Sequence, residues 1–153
     1  MAKLLIVAHC PSANTRAMVE AVARGARHPD LGDNELRITQ PLRSGSEDVL
    51  WADGLILGTT ENFGYMSGAM KDFFDRIYYD CLERSAGLPW AIFIRAGNDG
   101  RGARRSIERI VQGLAWKQVQ PPLLCRGPWD GSWLPACEEL GTTVMAGLEA
   151  GIY

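Results

Sequence analysis

Short apolar segments alternate with amphipathic helical segments along the whole of this chain. Five short segments bounded by turn residues are predicted to be strands: residues 4–8, 35–39, 54–58, 90–95 and 119–125. Apolar residues spaced three and four apart predict the helices that follow them: residues 14–27, 47–52, 67–84, 103–113 and 135–147. Alternation of this kind predicts an α/β fold in which helices cover both faces of a parallel sheet.

The character of the predicted strands indicates their order in the sheet. Residues 4–8, 54–58 and 90–95 are the most continuously apolar, as central strands buried on both faces should be. Residues 35–39 alternate polar and apolar side chains, which is typical of an edge strand. The sequence therefore predicts a three-layer, doubly wound, five-stranded parallel sheet of order 2-1-3-4-5. Its ligand crevice is expected at the carboxyl ends of strands 1 and 3.

Length, charge and cysteine content narrow the class of protein. The 153 residues suit a single domain, residues 1–153, with a sizeable core. A net charge of −2 gives no field that would recruit nucleic acid or an anionic membrane surface. The chain begins without a signal-peptide pattern and has no apolar stretch near the roughly 20 residues that span a bilayer. Four scattered cysteines and two histidines offer no zinc set. We therefore expect a cytoplasmic protein without metal or membrane insertion.

The loop after the first strand is compatible with two kinds of chemistry. It carries His9 and Cys10 and enters a helix through Ser12-Ala13-Asn14-Thr15-Arg16. The unpaired N–H groups and partial positive charge of a helix N-terminus attract anions. Here hydroxyl and amide side chains add donors for the phosphate of a bound monoester. The spacing Cys10-x5-Arg16 is also that of a phosphatase, in which a thiolate attacks and an arginine grips the phosphate.

A second loop, after the third predicted strand, favours a flat ligand. Three glycines within residues 58–68 let the backbone approach a ligand closely. Phe63, Tyr65 and Met66 supply apolar faces beside it. Ser67 is a suitable N-cap for the helix that follows.

Three segments resemble one known family. Residues 58–68 (GTTENFGYMSG), with Lys71 and Asp75-Arg76 in the next helix, resemble the ring-side loop and helix of flavodoxin-like NAD(P)H-dependent FMN reductases and quinone reductases. Ser12-Ala13-Asn14-Thr15 is similar to the FMN phosphate loop of that family, and residues 96–102 resemble its last flavin-contacting loop. The order of elements matches over nearly the whole chain.

The resemblance implies a flavodoxin-like fold with one FMN bound non-covalently. Ser12, Asn14 and Thr15 would hold its phosphate, and His9 would either donate to the phosphate or cap the strand. The residues implied at the ring are Thr60, Glu61, Asn62, Phe63, Gly64, Met66, Ser67, Gly97, Asn98, Asp99 and Gly100. No catalytic acid or base is expected, because the cofactor performs the chemistry and the protein supplies position and donors.

The implied activity is that of an oxidoreductase, with alternatives. Electrons would pass from NAD(P)H through the flavin to a quinone, free flavin or similar small acceptor, and members of the family often form homodimers. A flavodoxin-type electron carrier without its own substrate is the alternative, although such carriers are usually strongly acidic. A low-molecular-weight phosphatase using Cys10 and Arg16 is less favoured. In that family a hydroxyl residue stands where this chain has Ala17, and the phosphatase hypothesis gives residues 58–68 no role.

A basic stretch near residue 105 also has two interpretations. Arg101, Arg105 and Arg109 recur at intervals of four, so they share one helix face. Arginine grips phosphate bidentately, which would suit the extra phosphate of NADPH. The sequence alone favours the simpler interpretation, a solvated helix face.

Overall fold

The computed structural model describes residues 1–153, which form one seven-stranded sheet flanked by helices. The strands are β1 (Lys3–Ala8), β2 (Glu35–Thr39), β3 (Gly54–Asn62), β4 (Tyr65–Met66), β5 (Pro89–Ala96), β6 (Lys117–Gln118) and β7 (Leu123–Arg126). The helices are α1 (Ala13–Ala26), α2 (Ser46–Trp51), α3 (Gly68–Cys81), α4 (Arg101–Gly113) and α5 (Trp133–Ala150), with a 3-10 turn at Pro41–Arg43.

The strand order confirms the predicted topology, with one change in the fifth strand. Parallel pairing gives the order β2-β1-β3-β5-β6, and β7 also pairs with β5. The fifth strand, predicted as residues 119–125, is therefore two short strands, one beside the start of β5 and one beside its end. Pro121 and Pro122 lie between them. Proline has no N–H to donate to a ladder, so pairing stops at this point.

Hydrophobic clusters on both faces of the sheet hold the layers together. Leu5 and Leu55 belong to a cluster of 21 buried residues under α3 and α4. Ile6 and Ile56, the next residues along the same strands, belong to a cluster of 18 buried residues under α1 and α5. Successive side chains of a strand point to opposite faces. Strands that are apolar throughout can therefore be buried on both sides, as predicted.

The carboxyl ends of the central strands meet at one edge of the sheet. Ala8 pairs with Gly58, and Gly58 pairs with Phe93. Beyond these partners β3 continues to Asn62 and β5 continues to Ala96. The connections that follow β1, β3 and β5 therefore leave the sheet side by side, which is where the crevice was expected.

The end of α4 at Gly113 is as predicted, and the other helix boundaries differ from the predicted ones by one to three residues. Differences of this size are normal at helix ends, where the last turn frays. Ser67 is the N-cap of α3, as predicted, and its Oγ accepts a hydrogen bond from Met70 N at 3.2 Å. None of the helices combines the length and the apolar composition that crossing a bilayer requires.

Candidate cofactor site

The connection from β1 to α1 is organised by a capping box. Ser12 Oγ accepts a hydrogen bond from Thr15 N at 3.2 Å, and Thr15 Oγ1 accepts one from Ser12 N at 3.0 Å. The Thr15 hydroxyl also donates to Ser12 O at 3.0 Å, and its side chain is buried. The Thr15 hydroxyl is therefore used within the protein, whereas Ser12 and Asn14 are exposed. Thr15 shapes the loop, and Ser12 and Asn14 face outward.

Several backbone N–H groups at this end of α1 have no partner in the protein. The amides of Cys10, Ala13 and Asn14 make no hydrogen bond, and the first turn carries no acidic residue. The start of a helix of 14 residues adds partial positive charge to these donors. Together they fit a phosphate monoester, which needs several donors converging on one anion.

His9 and the two residues of the phosphatase hypothesis lie around the same loop. His9 N donates to Gly58 O at 2.9 Å, which ties the loop to β3. Burial lowers the pKa of the His9 imidazole, so the side chain is neutral near pH 7 and still offers one N–H. Cys10 is partly buried and packs against the cluster under α1 and α5. Arg16 is exposed on the first turn of the helix.

The loop predicted after residue 58 is in fact a β-hairpin. β3 extends to Asn62, the chain turns at Phe63 and Gly64, and β4 returns antiparallel with Asn62 paired to Tyr65. Both turn residues have positive φ, 54° and 70°, as a type I′ turn requires. A positive φ is strained for phenylalanine. The Phe63 ring is nevertheless fully exposed and makes no compensating buried contact.

The predicted hairpin residues divide into exposed and buried ones. Phe63 and Gly64 are exposed, and Asn62 Oδ1 accepts a hydrogen bond from Thr60 Oγ1 at 3.0 Å. Met66 and Ser67 are buried among protein atoms. Their side chains support the hairpin and α3, and their amides donate to Ser106 Oγ and Thr59 Oγ1, so neither residue offers a free donor to a ligand.

The connection from β5 to α4 brings a third set of free donors. Gly97, Asn98 and Asp99 are exposed, and none of their amides has a partner in the protein. Asp99 Oδ1 accepts a hydrogen bond from Arg101 N at 3.0 Å. Gly100 is buried with φ of 74° and is the N-cap of α4. The free amides of residues 97–99 could donate to acceptor atoms of a ligand at this edge of the sheet.

Glu61 has a role that the sequence did not reveal. It was predicted as a ring contact, but its carboxylate accepts hydrogen bonds from Gly100 N at 3.3 Å and Ala103 N at 3.2 Å. Ser106, which was not predicted, accepts from Met66 N at 3.1 Å. Glu61 and Gly100 are 39 positions apart, and no periodic pattern connects such residues. Both contacts join the hairpin to α4.

A well-formed surface cavity lies elsewhere. It has a volume of about 450 Å³ between α1 and β2, and its walls include Val19, Arg27 and Ile38. None of the predicted site residues lines it. Phosphate binding at a helix start depends on converging N–H groups rather than on an enclosed cavity, so the donors locate the candidate site.

Solved structures share this architecture. A flavodoxin from the domain Archaea superposes with a TM-score of 0.77 at 21% identity, covering 95% of this chain and 98% of that chain. Flavodoxin 1 from Bacillus cereus superposes with a TM-score of 0.79 at 20% identity, covering 95% of this chain and 99% of that chain. A WrbA-like flavodoxin from Agrobacterium tumefaciens superposes with a TM-score of 0.75 at 16% identity, covering 98% of this chain and 99% of that chain. These likenesses confirm the predicted flavodoxin-like fold.

Sequence comparison shows the family. The profile of the NADPH-dependent FMN reductases matches residues 4–122, a span that contains every predicted site residue. The chain therefore belongs to the NADPH-dependent FMN reductase family, and this membership supports FMN as its cofactor. A relative named flavodoxin, from Aquifex aeolicus (strain VF5), is 38% identical over 102 residues, which are 67% of this chain and 54% of the relative. The match thus spans about half the length of that relative.

Proposed function

We propose that this protein binds one FMN at the three connections and passes electrons from NAD(P)H to a quinone, a free flavin or a similar small acceptor. The observation that carries the proposal is the set of unpartnered N–H groups at the start of α1 and in residues 97–99, all at one edge of the sheet. A bound FMN would supply the redox chemistry at this site, the acceptance of a hydride from the nicotinamide and the release of electrons to the acceptor. The protein then needs to supply position and donors rather than an acid or base.

The start of α1 is suited to the phosphate end of the cofactor. The free amides of Ala13 and Asn14 would donate to phosphate oxygens, and the exposed Ser12 hydroxyl would exchange its 2.9 Å contact with Thr15 Oγ1 for one with the phosphate. Hydrogen bonds to an anion contribute about 1.5–3 kcal/mol each, more than bonds between neutral groups. Most of the affinity for FMN should therefore come from this end.

The hairpin and residues 97–99 are suited to the ring. The exposed Phe63 supplies an aromatic surface at the tip of the hairpin. The free amides of residues 97–99 would donate to ring acceptors and stabilise the negative charge that develops on reduction. Both connections leave neighbouring strands, so they can frame one flat molecule.

The charge of α4 favours a reductase over a carrier. Arg101, Arg105 and Arg109 are exposed on one face of α4, and eight residues of helix span about 12 Å. Arg104, beside them, is paired with Glu108 at 2.8 Å. A basic face next to the ring connections would attract the anionic phosphates of NAD(P)H. An acidic carrier surface would repel them.

A flavodoxin-type electron carrier is the second candidate. The 38% identical relative carries the name flavodoxin, which favours this function. The net charge of −2 opposes it, because carriers use strong charge to steer towards basic partners. For either function we propose a cytoplasmic protein that assembles as a homodimer, and for the reductase a small-molecule electron acceptor. The four free cysteines are consistent with a reducing compartment.

Two measurements test the proposal. A visible absorption spectrum of the purified protein should show flavin, and heating should release FMN into solution. FMN-loaded protein mixed with NADH or NADPH in a stopped-flow instrument should lose its flavin absorbance at a rate that supports turnover. Bleaching too slow for turnover with both nucleotides would favour the carrier.

A cysteine variant separates flavin binding from phosphatase activity. Cys10→Ser should retain both FMN and reduction by NAD(P)H, since the thiol has no role in the proposed site. A colourless protein that takes up no added FMN, and whose phosphatase activity disappears in Cys10→Ser, would overturn the proposal.

A further inference from the structure

We infer that Glu61 is a positioning residue, whose carboxylate caps α4 and thereby fixes the hairpin against residues 97–100. In this role Glu61 does not bind the cofactor with its own side chain. The inference rests on the FMN site proposed above and specifies how the two sides of the ring site are held in register.

Both oxygens of the Glu61 carboxylate already accept a hydrogen bond within the protein. One oxygen accepts a hydrogen bond from Gly100 N at 3.3 Å and the other accepts one from Ala103 N at 3.2 Å. The N-cap of α4 is Gly100, which has no side chain, and the first turn of α4 has no acidic residue. Glu61 therefore supplies from a distant strand what helices normally take from their own cap, an acceptor and a negative charge.

Two further contacts show that the hairpin lies directly on the first turns of α4. A β-carbon at Gly102 would be 1.8 Å from Gly64 O, so only glycine allows this approach. Met66 N donates to Ser106 Oγ at 3.1 Å, and Ser106 Oγ donates to Ala103 O at 2.8 Å. The hairpin and the start of α4 are thus packed together through both backbone and side-chain contacts.

The contact between the hairpin and the start of α4 determines the width of the ring site. Residues 97–99 lead directly into α4, and Phe63 is carried on the tip of the hairpin. If the contact between Glu61 and α4 were broken, the two sides of the ring site would lose their fixed separation. The cofactor would then have to order them on binding, which lowers its affinity.

The Glu61 carboxylate also affects the charge near the ring. It neutralises the positive end of α4 and adds a negative charge next to the connection that faces the flavin. A negative charge disfavours the anionic reduced ring relative to the oxidised ring. Glu61 should therefore hold the reduction potential of the bound flavin down as well as position the site.

The test compares Glu61→Gln with Glu108→Gln. Glutamine keeps the size of Glu61, but its NH₂ group cannot accept, so one amide of α4 loses its partner. The control removes the same charge from a residue of α4 itself, since Glu108 pairs with Arg104 two turns from the start of that helix. Hydrogen exchange by NMR without ligand, FMN titration and the flavin midpoint potential are measured for each variant.

The expected result has three parts. In Glu61→Gln the amides of Gly100 and Ala103 should exchange faster, FMN should bind about tenfold more weakly, equivalent to about 1.4 kcal/mol, and the midpoint potential should become more positive. Glu108→Gln should leave all three unchanged. Gly102→Ala, which pushes the hairpin away while keeping the Glu61 charge, should weaken FMN binding too. Gly102→Ala tests the same contact between the hairpin and α4 if Glu61→Gln does not fold.

Other results overturn the inference. Faster exchange with unchanged FMN affinity and potential would make Glu61 a cap with no influence on the ring site, and the proposed function would stand. Equal weakening by Glu108→Gln would show a general effect of charge. Wild-type protein that binds no FMN would overturn both the inference and the proposed function.

Discussion

Replacing Phe63 with asparagine should stabilise the ligand-free protein and lower its affinity for FMN. Phe63 has φ of 54° at the first turn position of the hairpin, and its ring is fully exposed. The left-handed conformation costs an ordinary L-residue about 1–2 kcal/mol, whereas asparagine adopts it more readily. Because the ring makes no buried contact, its removal should not offset the relief of strain.

The expected gain is modest but measurable. If asparagine recovers about half of the strain, the free energy of unfolding rises by about 0.5–1 kcal/mol. For a chain of 153 residues, 1 kcal/mol corresponds to roughly 2–4 °C in Tm. We therefore expect Tm to rise by about 1–4 °C.

The effect on the cofactor should have the opposite sign. Contacts between aromatic rings contribute about 0.5–1.5 kcal/mol beyond the area they bury. Loss of the Phe63 ring should thus weaken FMN binding by roughly two- to tenfold. A substitution that stabilises the empty protein and weakens the complex would mark Phe63 as a residue kept for binding.

Thermal unfolding without ligand and FMN titration followed by flavin fluorescence measure the two effects. Phe63→Leu is the matched control, because it keeps the strained conformation and removes the ring. It should leave Tm unchanged and weaken FMN binding. Tyr79→Asn removes another exposed aromatic ring, from α3, and should leave FMN binding unchanged. A lower Tm for Phe63→Asn would refute the reasoning, since the ring would then stabilise the protein without ligand.

Three further predictions concern the α1 end of the site. Ser12→Ala removes half of the capping box, so it should cost about 1 kcal/mol in urea unfolding and weaken FMN binding. Ser132→Ala should do neither, because Ser132 at the start of α5 makes no capping bond with its side chain. Burial lowers the pKa of His9 below its usual 6.5. The unfolded chain then binds more protons than the folded protein below that pH, so the free energy of unfolding should rise from about pH 5 to 7. Urea titrations of His9→Gln should show a flatter rise, and an unchanged slope would contradict this. Riboflavin, which lacks the phosphate, should bind at least about 100-fold more weakly than FMN in the same titration, and equal affinity would place the phosphate elsewhere.

The scaffold could be predicted from sequence because its signals are local. Residues 4–8, 54–58 and 90–95 are short and continuously apolar, and this pattern is specific for central strands of a parallel sheet. Prolines 121 and 122 were visible as an interruption of the fifth strand. That the chain resumes pairing beside the same neighbour, β5, depends on tertiary contacts and could not be read from the pattern.

The hairpin could not be predicted for a different reason. Residues 59–62 are polar, so β3 loses its apolar pattern where it leaves the core, although its ladder with β5 continues to Thr60. The turn residues Phe63-Gly64 lack the Asn-Gly or Asp-Gly pair that usually signals a type I′ turn. The role of Glu61 was hidden as well, because its partners on α4 follow only after α3 and β5.

The two helix starts at the candidate site use their N–H groups differently, and this difference would orient the proposed cofactor. At α4 the amides of Gly100 and Ala103 are taken by Glu61, and that of Arg101 by Asp99. Carboxylates thus already occupy these N–H groups, so a phosphate could reach them only by displacing Glu61 or Asp99, and Asp99 is also paired with Arg101 at 3.9 Å. At α1 the capping box uses only hydroxyl groups, adds no charge and leaves free amides. A dianionic phosphate is therefore favoured at α1 and disfavoured at α4. A molecule with phosphate at one end and a neutral ring at the other can then lie in one direction only, with its ring against the hairpin.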